Sequence, residues 1–207
     1  ASFFEDGTET LTAVAGNGYS YSQLGGALAN GGAGVFVNGA SAGWIRLATS
    51  TPSMEVTARI GTIAANSSTT QYFIGYTNLA NAGATYETAP TAGCFFTASS
   101  TQANWRAICR TALATATNID TGIASTSVST GAGKWNTFRI DADSTYATFW
   151  IKNGDGIMTK VADISTTYPS TTALNAGIHW GRTTGTQAIQ FDFFGLNVQW
   201  RKFTPNL

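Results

Sequence analysis

Few side chains in this 207-residue chain are equipped for chemistry, and their spacing narrows what that chemistry could be. Hydrolysis of a glycosidic bond needs two carboxyl groups held roughly 5–9.5 Å apart. The glutamates are Glu5, Glu9, Glu55 and Glu87, and of these only Glu55 falls in a regular strand pattern, with no carboxylate neighbour. Asp141 and Asp143 stand two apart on one face, but beside a turn, where an aspartate ordinarily caps or solvates. His179 is the sole histidine, which leaves a zinc cluster or a Ser-His-Asp arrangement with little to work with. Between Ile178 and Trp180 it reads as a packed or hydrogen-bonded side chain rather than a base. A hard cation needs only oxygen ligands, so Asp141, Asp143 and Asp155 are the candidates for calcium, and the residue types point to no other cofactor.

Aromatic side chains carry more functional weight than the titratable ones. Across Lys134–Gly156 two alternating runs face each other over a polar turn, Asp143-Ser144-Thr145. Phe138, Ile140 and Ala142 share one face of the first run, and Ala147, Phe149 and Ile151 share one face of the second. A period of two places successive side chains on opposite faces of a strand, so these residues are predicted core. Trp135, Arg139, Tyr146 and Trp150 then lie on the opposite face, with Asp141 nearby. Aromatic platforms beside charged hydrogen-bonding groups suit sugar stacking, and these four are the candidate ligand-binding residues. The competing reading is that loops or a neighbouring subunit cover this face. Trp200, with Arg201 and Lys202, could anchor the tail to a partner in the same way.

Composition bounds the rest. Lys plus Arg equals Asp plus Glu at 11 each, and charged residues make up only 11% of the chain. That balance argues against a nucleic-acid partner and against a polybasic membrane patch. No stretch approaches the roughly 18 apolar residues of a spanning helix, so membrane insertion is not expected. Cys94 and Cys109 sit in two runs predicted to pair as a hairpin, GCFFT and NWRAICR. If Cys94 faces Cys109, Phe96 faces Ala107, and all four share a face with Trp105. Either a cross-strand disulfide or two buried free thiols fits. Free thiols are expected here, because nothing else marks a disulfide-dense scaffold.

Read in order, the chain supplies strands and no helical stripe. Thr8–Val14 is a short strand, and the Gly/Ala/Asn-rich stretch Ala15–Gly43 is expected to be long loops around one strand, Gly34–Asn38. A strand entry over Gly43–Ser50, a turn at Thr51-Pro52-Ser53, and a half-buried strand over Met54–Ile60 follow. Thr70–Thr77, Cys94–Thr97, Trp105–Thr111, Thr115–Ile123, the central hairpin, Met158–Ile164, Ala173–Trp180 and residues 188–202 complete the set. In the last strand the alternation changes phase beside Gly195, as a bulge would produce. The expectation is a single all-β domain, a two-sheet antiparallel β-sandwich at 43–207 preceded by an irregular small-residue region at 1–42.

The order of these features resembles a concanavalin A-like (LamG-type) jelly-roll domain of the kind found in virion surface proteins of tailed bacteriophages. The carrying residues are Gly43-Trp44-Ile45-Arg46-Leu47 with Thr49, Met54–Ile60, Phe73-Ile74-Gly75-Tyr76 and Gly93-Cys94-Phe95-Phe96. They continue through Asn104-Trp105-Arg106-Ala107, Asp120-Thr121-Gly122, Trp135, Phe138-Arg139-Ile140, Thr148-Phe149-Trp150-Ile151 and Phe191-Asp192-Phe193-Phe194. The resemblance covers roughly residues 40–202 and implies two antiparallel sheets packed face to face. Jelly-roll glycanases of this class carry their carboxylates as Glu-x-Asp-x-x-Glu on one strand, and that motif is absent here. The expectation is therefore a non-catalytic protein of a phage virion surface, a capsid-decorating or knob/fibre-type homo-oligomer in contact with other virion proteins. The alternative is a carbohydrate-binding module that recognises a cell-surface glycan, on a tail fibre or secreted. A glycan-degrading enzyme stands third.

Overall fold

The computed structural model describes residues 2–6, 10–16, 19–25, 32–36, 43–60, 71–79, 90–99, 102–125, 136–154, 156–181 and 189–200. Every regular element among them is a strand: β1 (Ser2–Asp6), β2 (Thr10–Gly16), β3 (Tyr19–Gly25), β4 (Gly32–Phe36), β5 (Ser50–Ile60), β6 (Gln71–Thr77) and β7 (Gly93–Ser99). The second half of the chain adds β8 (Asn104–Ala112), β9 (Thr115–Ala124), β10 (Asn136–Ala142), β11 (Ala147–Asn153), β12 (Met158–Ile164), β13 (Asn175–Gly181) and β14 (Ile189–Trp200). They form two seven-stranded sheets, the first in the order β1-β4-β13-β6-β7-β8-β9 and the second β12-β11-β10-β5-β14-β3-β2. All pairings are antiparallel. The protein is an all-β, two-sheet jelly-roll sandwich.

The predicted hairpin forms as its alternation requires. Phe138 pairs with Ile151 and Ile140 with Phe149 across β10 and β11, and all four side chains are buried. From the facing sheet come Tyr72, Ile74 and Tyr76 of β6, Phe96 of β7 and Trp105 of β8, also buried. Phe96 meets Phe149 edge-on at 5.1 Å between ring centroids, and Trp105 meets Phe138 at 4.6 Å. Each such side chain contributes roughly 1.5–3 kcal/mol by leaving water, and the edge-on pairs add about 0.5–1.5 kcal/mol.

The cysteines differ from expectation. Cys94 and Cys109 form a disulfide with their Cα atoms 4.2 Å apart, in the register that also opposes Phe96 to Ala107. Two cysteines directly opposite on one face of an antiparallel pair are close enough for the bond to form between neighbouring strands.

Three further corrections concern backbone pairing. The stretch expected as loops around one strand holds both β3 and β4, on different sheets: β3 pairs with β2 and β14, β4 with β1 and β13. Ladder hydrogen bonds are made by backbone, so a Gly- and Ser-rich segment can pair without a hydrophobic pattern to announce it. The turn expected at Thr51-Pro52-Ser53 lies earlier, at 47–49, where Thr49 N–H donates to the Arg46 carbonyl. Pro52 is inside β5, opposite Val198, one residue beyond the last β5–β10 pair at Ser53–Asp141. It therefore costs no ladder bond to β10. The bulge expected beside Gly195 falls between Phe191 and Phe193. A second register shift, where β12 passes Phe149 and Trp150, leaves Val161 without an opposite number and explains why Met158, Val161 and Ile164 do not alternate.

Candidate functional site

Three cross-strand rows build the outward face of the second sheet. Lys160, Trp150, Arg139, Glu55 and Gly195 are successive neighbours in one row. Asp163, Thr148, Asp141 and Ser53 form the next, and Met158, Lys152, Thr137 and Thr57 the third. Because β10 and β11 turn their apolar positions into the core, their polar alternates and Trp150 must share this face.

Most of the polar groups are bonded to one another. Asp141 Oδ1 accepts from Ser53 Oγ at 2.6 Å and from Arg139 Nε at 2.9 Å. Asp163 accepts from Thr148 Oγ1 at 2.8 Å through one oxygen and from Lys160 Nζ at 2.7 Å through the other. The Thr57 and Thr137 hydroxyls share a hydrogen bond of 3.0 Å. The hydrogen bond from Lys160, then that from Thr148, holds the Asp163 carboxyl below the usual carboxylate range. The bond to Asp141 raises the Arg139 guanidinium pKa. All these pairs are exposed or half-exposed, so they fix geometry more than they stabilise the fold.

At the end of the rows the chain turns. Asp143 N–H donates to the Tyr146 carbonyl at 2.9 Å, its carboxylate accepts from Ser144, and its own carbonyl accepts from the Tyr168 hydroxyl. This bracing leaves Tyr146 42% exposed. Beside it opens a shallow pocket of about 340 Å³ lined by Tyr146, Asp163 and Ser165. Trp150 is half-buried within the face, with its Nε1 enclosed and unbonded.

Of the predicted ligand-binding residues, Arg139, Tyr146 and Trp150 thus share one outward face, while Trp135 lies outside the described residues. Of the predicted metal ligands, Asp141 is held by Ser53 and Arg139, and Asp143 sits in the turn after β10. The turn that leads to Asp155 begins at Asn153, at the far end of β11, which a seven-residue strand places about 20 Å from Asp143. Asp155 itself lies outside the described residues. Among the described residues no three His, Cys, Asp or Glu side chains gather as a metal site would require. Sequence reasoning passed over Asp163, Lys160 and Ser165, because the bulge in β12 hides which of its residues face outward.

His179 is fully buried on the outward side of the first sheet. Its ring stacks on Phe73 at 4.4 Å and 14°, Phe73 meets Phe95 edge-on at 5.6 Å, and Arg110 lies 5.2 Å over Phe95. Phe73, Phe95 and Ile108 make a second apolar cluster, and burial lowers the pKa of both His179 and Arg110 beside it.

No family model and no curated protein matches the sequence. Solved structures do match. One is an alginate lyase, AlyC3, in complex with dimannuronate, at 12% identity and a TM-score of 0.59, covering 89% of this chain and 79% of that one. Another is the binding domain of botulinum neurotoxin serotype D, at 14% identity and a TM-score of 0.55. That alignment covers 96% of this chain but only 43% of the toxin domain. A third is the carbohydrate esterase of the Shiga toxin-encoding bacteriophage phi24B, at 14% identity and a TM-score of 0.54, covering 95% and 90%. At these identities the likeness is one of fold. It nevertheless overturns the expectation of a non-catalytic protein, which rested on the resemblance, the missing glycanase carboxylates, the single histidine and the low charge. A lyase and an esterase share this fold, and neither reaction requires two carboxylates flanking a glycosidic bond.

Proposed function

We propose that this chain recognises carbohydrate through the outward face of β10, β11 and β12. The carrying observation is the exposed Tyr146 ring set beside a pocket whose other described walls, Asp163 and Ser165, are hydrogen-bonding groups. A sugar presents an apolar C–H face to an aromatic ring and hydroxyls to polar neighbours, and this arrangement answers both. The binding energy falls to Tyr146 and Trp150, and the hydrogen-bonded rows hold the face still. The setting in this reading is the exterior of a tailed-phage particle, where copies of the chain contact one another and other virion proteins. The resemblance drawn from sequence supports that setting, as does a phage carbohydrate esterase of the same fold. A buried disulfide is in keeping with an oxidising exterior.

A glycan array followed by tryptophan-fluorescence titration tests the proposal. Binding is expected to fall at least tenfold in Tyr146→Ala and in Trp150→Ala, with the native fold kept. A flat array, or binding untouched by either substitution, sinks it. The same saccharides assayed for cleavage and deacetylation show whether recognition is coupled to turnover.

A further inference from the structure

We infer that the pocket between Tyr146, Asp163 and Ser165 takes a neutral sugar presenting adjacent hydroxyls, and disfavours sugars that carry a carboxylate. The inference rests on the carbohydrate-recognition reading and adds the ligand's chemical class to it. Each Asp163 carboxylate oxygen accepts one hydrogen bond from the protein, Oδ1 from Thr148 and Oδ2 from Lys160. Each carboxylate oxygen has about two accepting positions, so one remains free on each. Two free acceptors on one planar group match the two donors of a vicinal diol. The Asp163 side chain is 48% exposed, so those positions are reachable, and its two protein donors fix the orientation of the carboxylate.

The charges around the pocket decide the sign of the discrimination. Among the described residues its lining holds a carboxylate, a phenol and a hydroxyl, and no cation. The nearest cations in the rows are already engaged, Lys160 on Asp163 and Arg139 on Asp141. Asp143 adds a third carboxylate at the turn that carries Tyr146. A uronate or sialate carboxylate seated here would face Asp163 without a free guanidinium or ammonium among the described residues of the lining to receive it. Lys160 softens that repulsion because it neutralises Asp163 in part, so the penalty is modest: at the roughly 4 Å of a seated ligand, about fivefold in affinity at an exposed site. The wall on the other side is Tyr146, whose ring takes the apolar face of a pyranose with no demand on charge. This departs from the alginate lyase of the same fold, whose bound dimannuronate is a diuronate.

The test is calorimetric titration of the purified chain with neutral gluco-, manno- and xylo-oligosaccharides, and with oligomannuronate, oligogalacturonate and sialyllactose. Wild type, Asp163→Asn and Tyr146→Ala are compared. A neutral oligosaccharide is expected to bind at least about fivefold more tightly than any of the acidic ones. Asp163→Asn is expected to weaken the neutral ligand about tenfold, since hydrogen bonds to a charged acceptor are lost, and to narrow the gap to the acidic set. Acidic sugars binding as well as or better than neutral ones would overturn the selectivity and leave carbohydrate recognition standing. Neutral binding that neither Asp163→Asn nor Tyr146→Ala alters would overturn the assignment to this pocket. If none of the saccharides binds, the selectivity and the reading beneath it fail together.

Discussion

Acidification should weaken this fold at a pH where carboxylates are still ionised, and His179 is the cause. It is the single histidine of the chain, fully buried, stacked on Phe73 at 4.4 Å, and burial pushes its pKa down to about 3. The unfolded chain binds a proton at this imidazole near pH 6.5, whereas the folded chain does not until far lower. As pH falls below 6.5 the unfolded state therefore gains a proton that the folded state refuses, and stability drops by up to 1.36 kcal/mol per pH unit. Between pH 7 and pH 5 the loss comes to about 2 kcal/mol. That figure hardly depends on the folded pKa, because any value well below 5 leaves the folded imidazole neutral throughout the window. Asp120 and Asp163, whose carboxyls are also held low, weaken the fold in the same direction but only at more acid pH. Urea denaturation at intervals from pH 7 to pH 5 should show the midpoint falling by on the order of 1 M. In His179→Phe, which retains an aromatic ring against Phe73, most of that slope should vanish. Proton NMR of the folded wild type should show an imidazole that does not titrate above pH 5. A flat stability profile, or an imidazole titrating near 6.5 in the folded protein, would refute the reasoning.

Two structural predictions accompany this one. Cys94→Ala with Cys109→Ala removes a bond closing a separation of 15 residues, worth about 3 kcal/mol, so the melting temperature of a chain this size should fall by roughly 6–12 °C. Thiol titration in denaturant should find no free thiol in wild type before reduction and two after it. Gly75→Ala should cost about 3 kcal/mol by chemical denaturation, because its Cβ would lie 2.5 Å from both the Cys94 carbonyl oxygen and the Phe95 Cα, at a φ of +155° that suits glycine; a loss under 1 kcal/mol would show that β6 and β7 yield there.

How much of this was legible depended on whether a segment's pairing left a mark on its side chains. The β10–β11 hairpin was readable because one face is buried and the other is not, so Phe138, Ile140, Phe149 and Ile151 stand out against Arg139 and Thr148. The register of Cys94 opposite Cys109 was readable from spacing, but whether sulfur bonds to sulfur depends on a separation of chain atoms that no composition encodes. β7 is buried over its whole length, with Phe95 and Phe96 on opposite faces, so its sequence shows an apolar run and conceals the second cluster on its outward side. β3 alternates Tyr19, Tyr21 and Gln23 with Ser20, Ser22 and Leu24, a signal that was present but outweighed by the surrounding glycines. The pocket was half visible. Tyr146 follows from the hairpin pattern, whereas Asp163 lies in, and Ser165 directly follows, a strand whose bulge scrambles the period.

The two outward faces divide the work of the molecule. On the first sheet, Phe73, Phe95, Ile108 and His179 are buried outside the sandwich core, so β6, β7 and β8 pack on both sides. On the second sheet, β10 and β11 keep their outward positions partly in solvent, and their polar groups are bonded in rows along the surface. A surface of this kind is pre-organised, because few side chains need to be immobilised when a ligand arrives. It is also largely satisfied, so the middle of the rows has little unspent hydrogen-bonding capacity. Capacity remains at their end, where Asp163 has accepting positions to spare and Tyr146 stands clear of the sheet. That is the physical reason for placing the hydrogen-bonded part of recognition at the turn side of the hairpin, while at its centre Trp150, half-buried with its Nε1 enclosed, offers only ring surface.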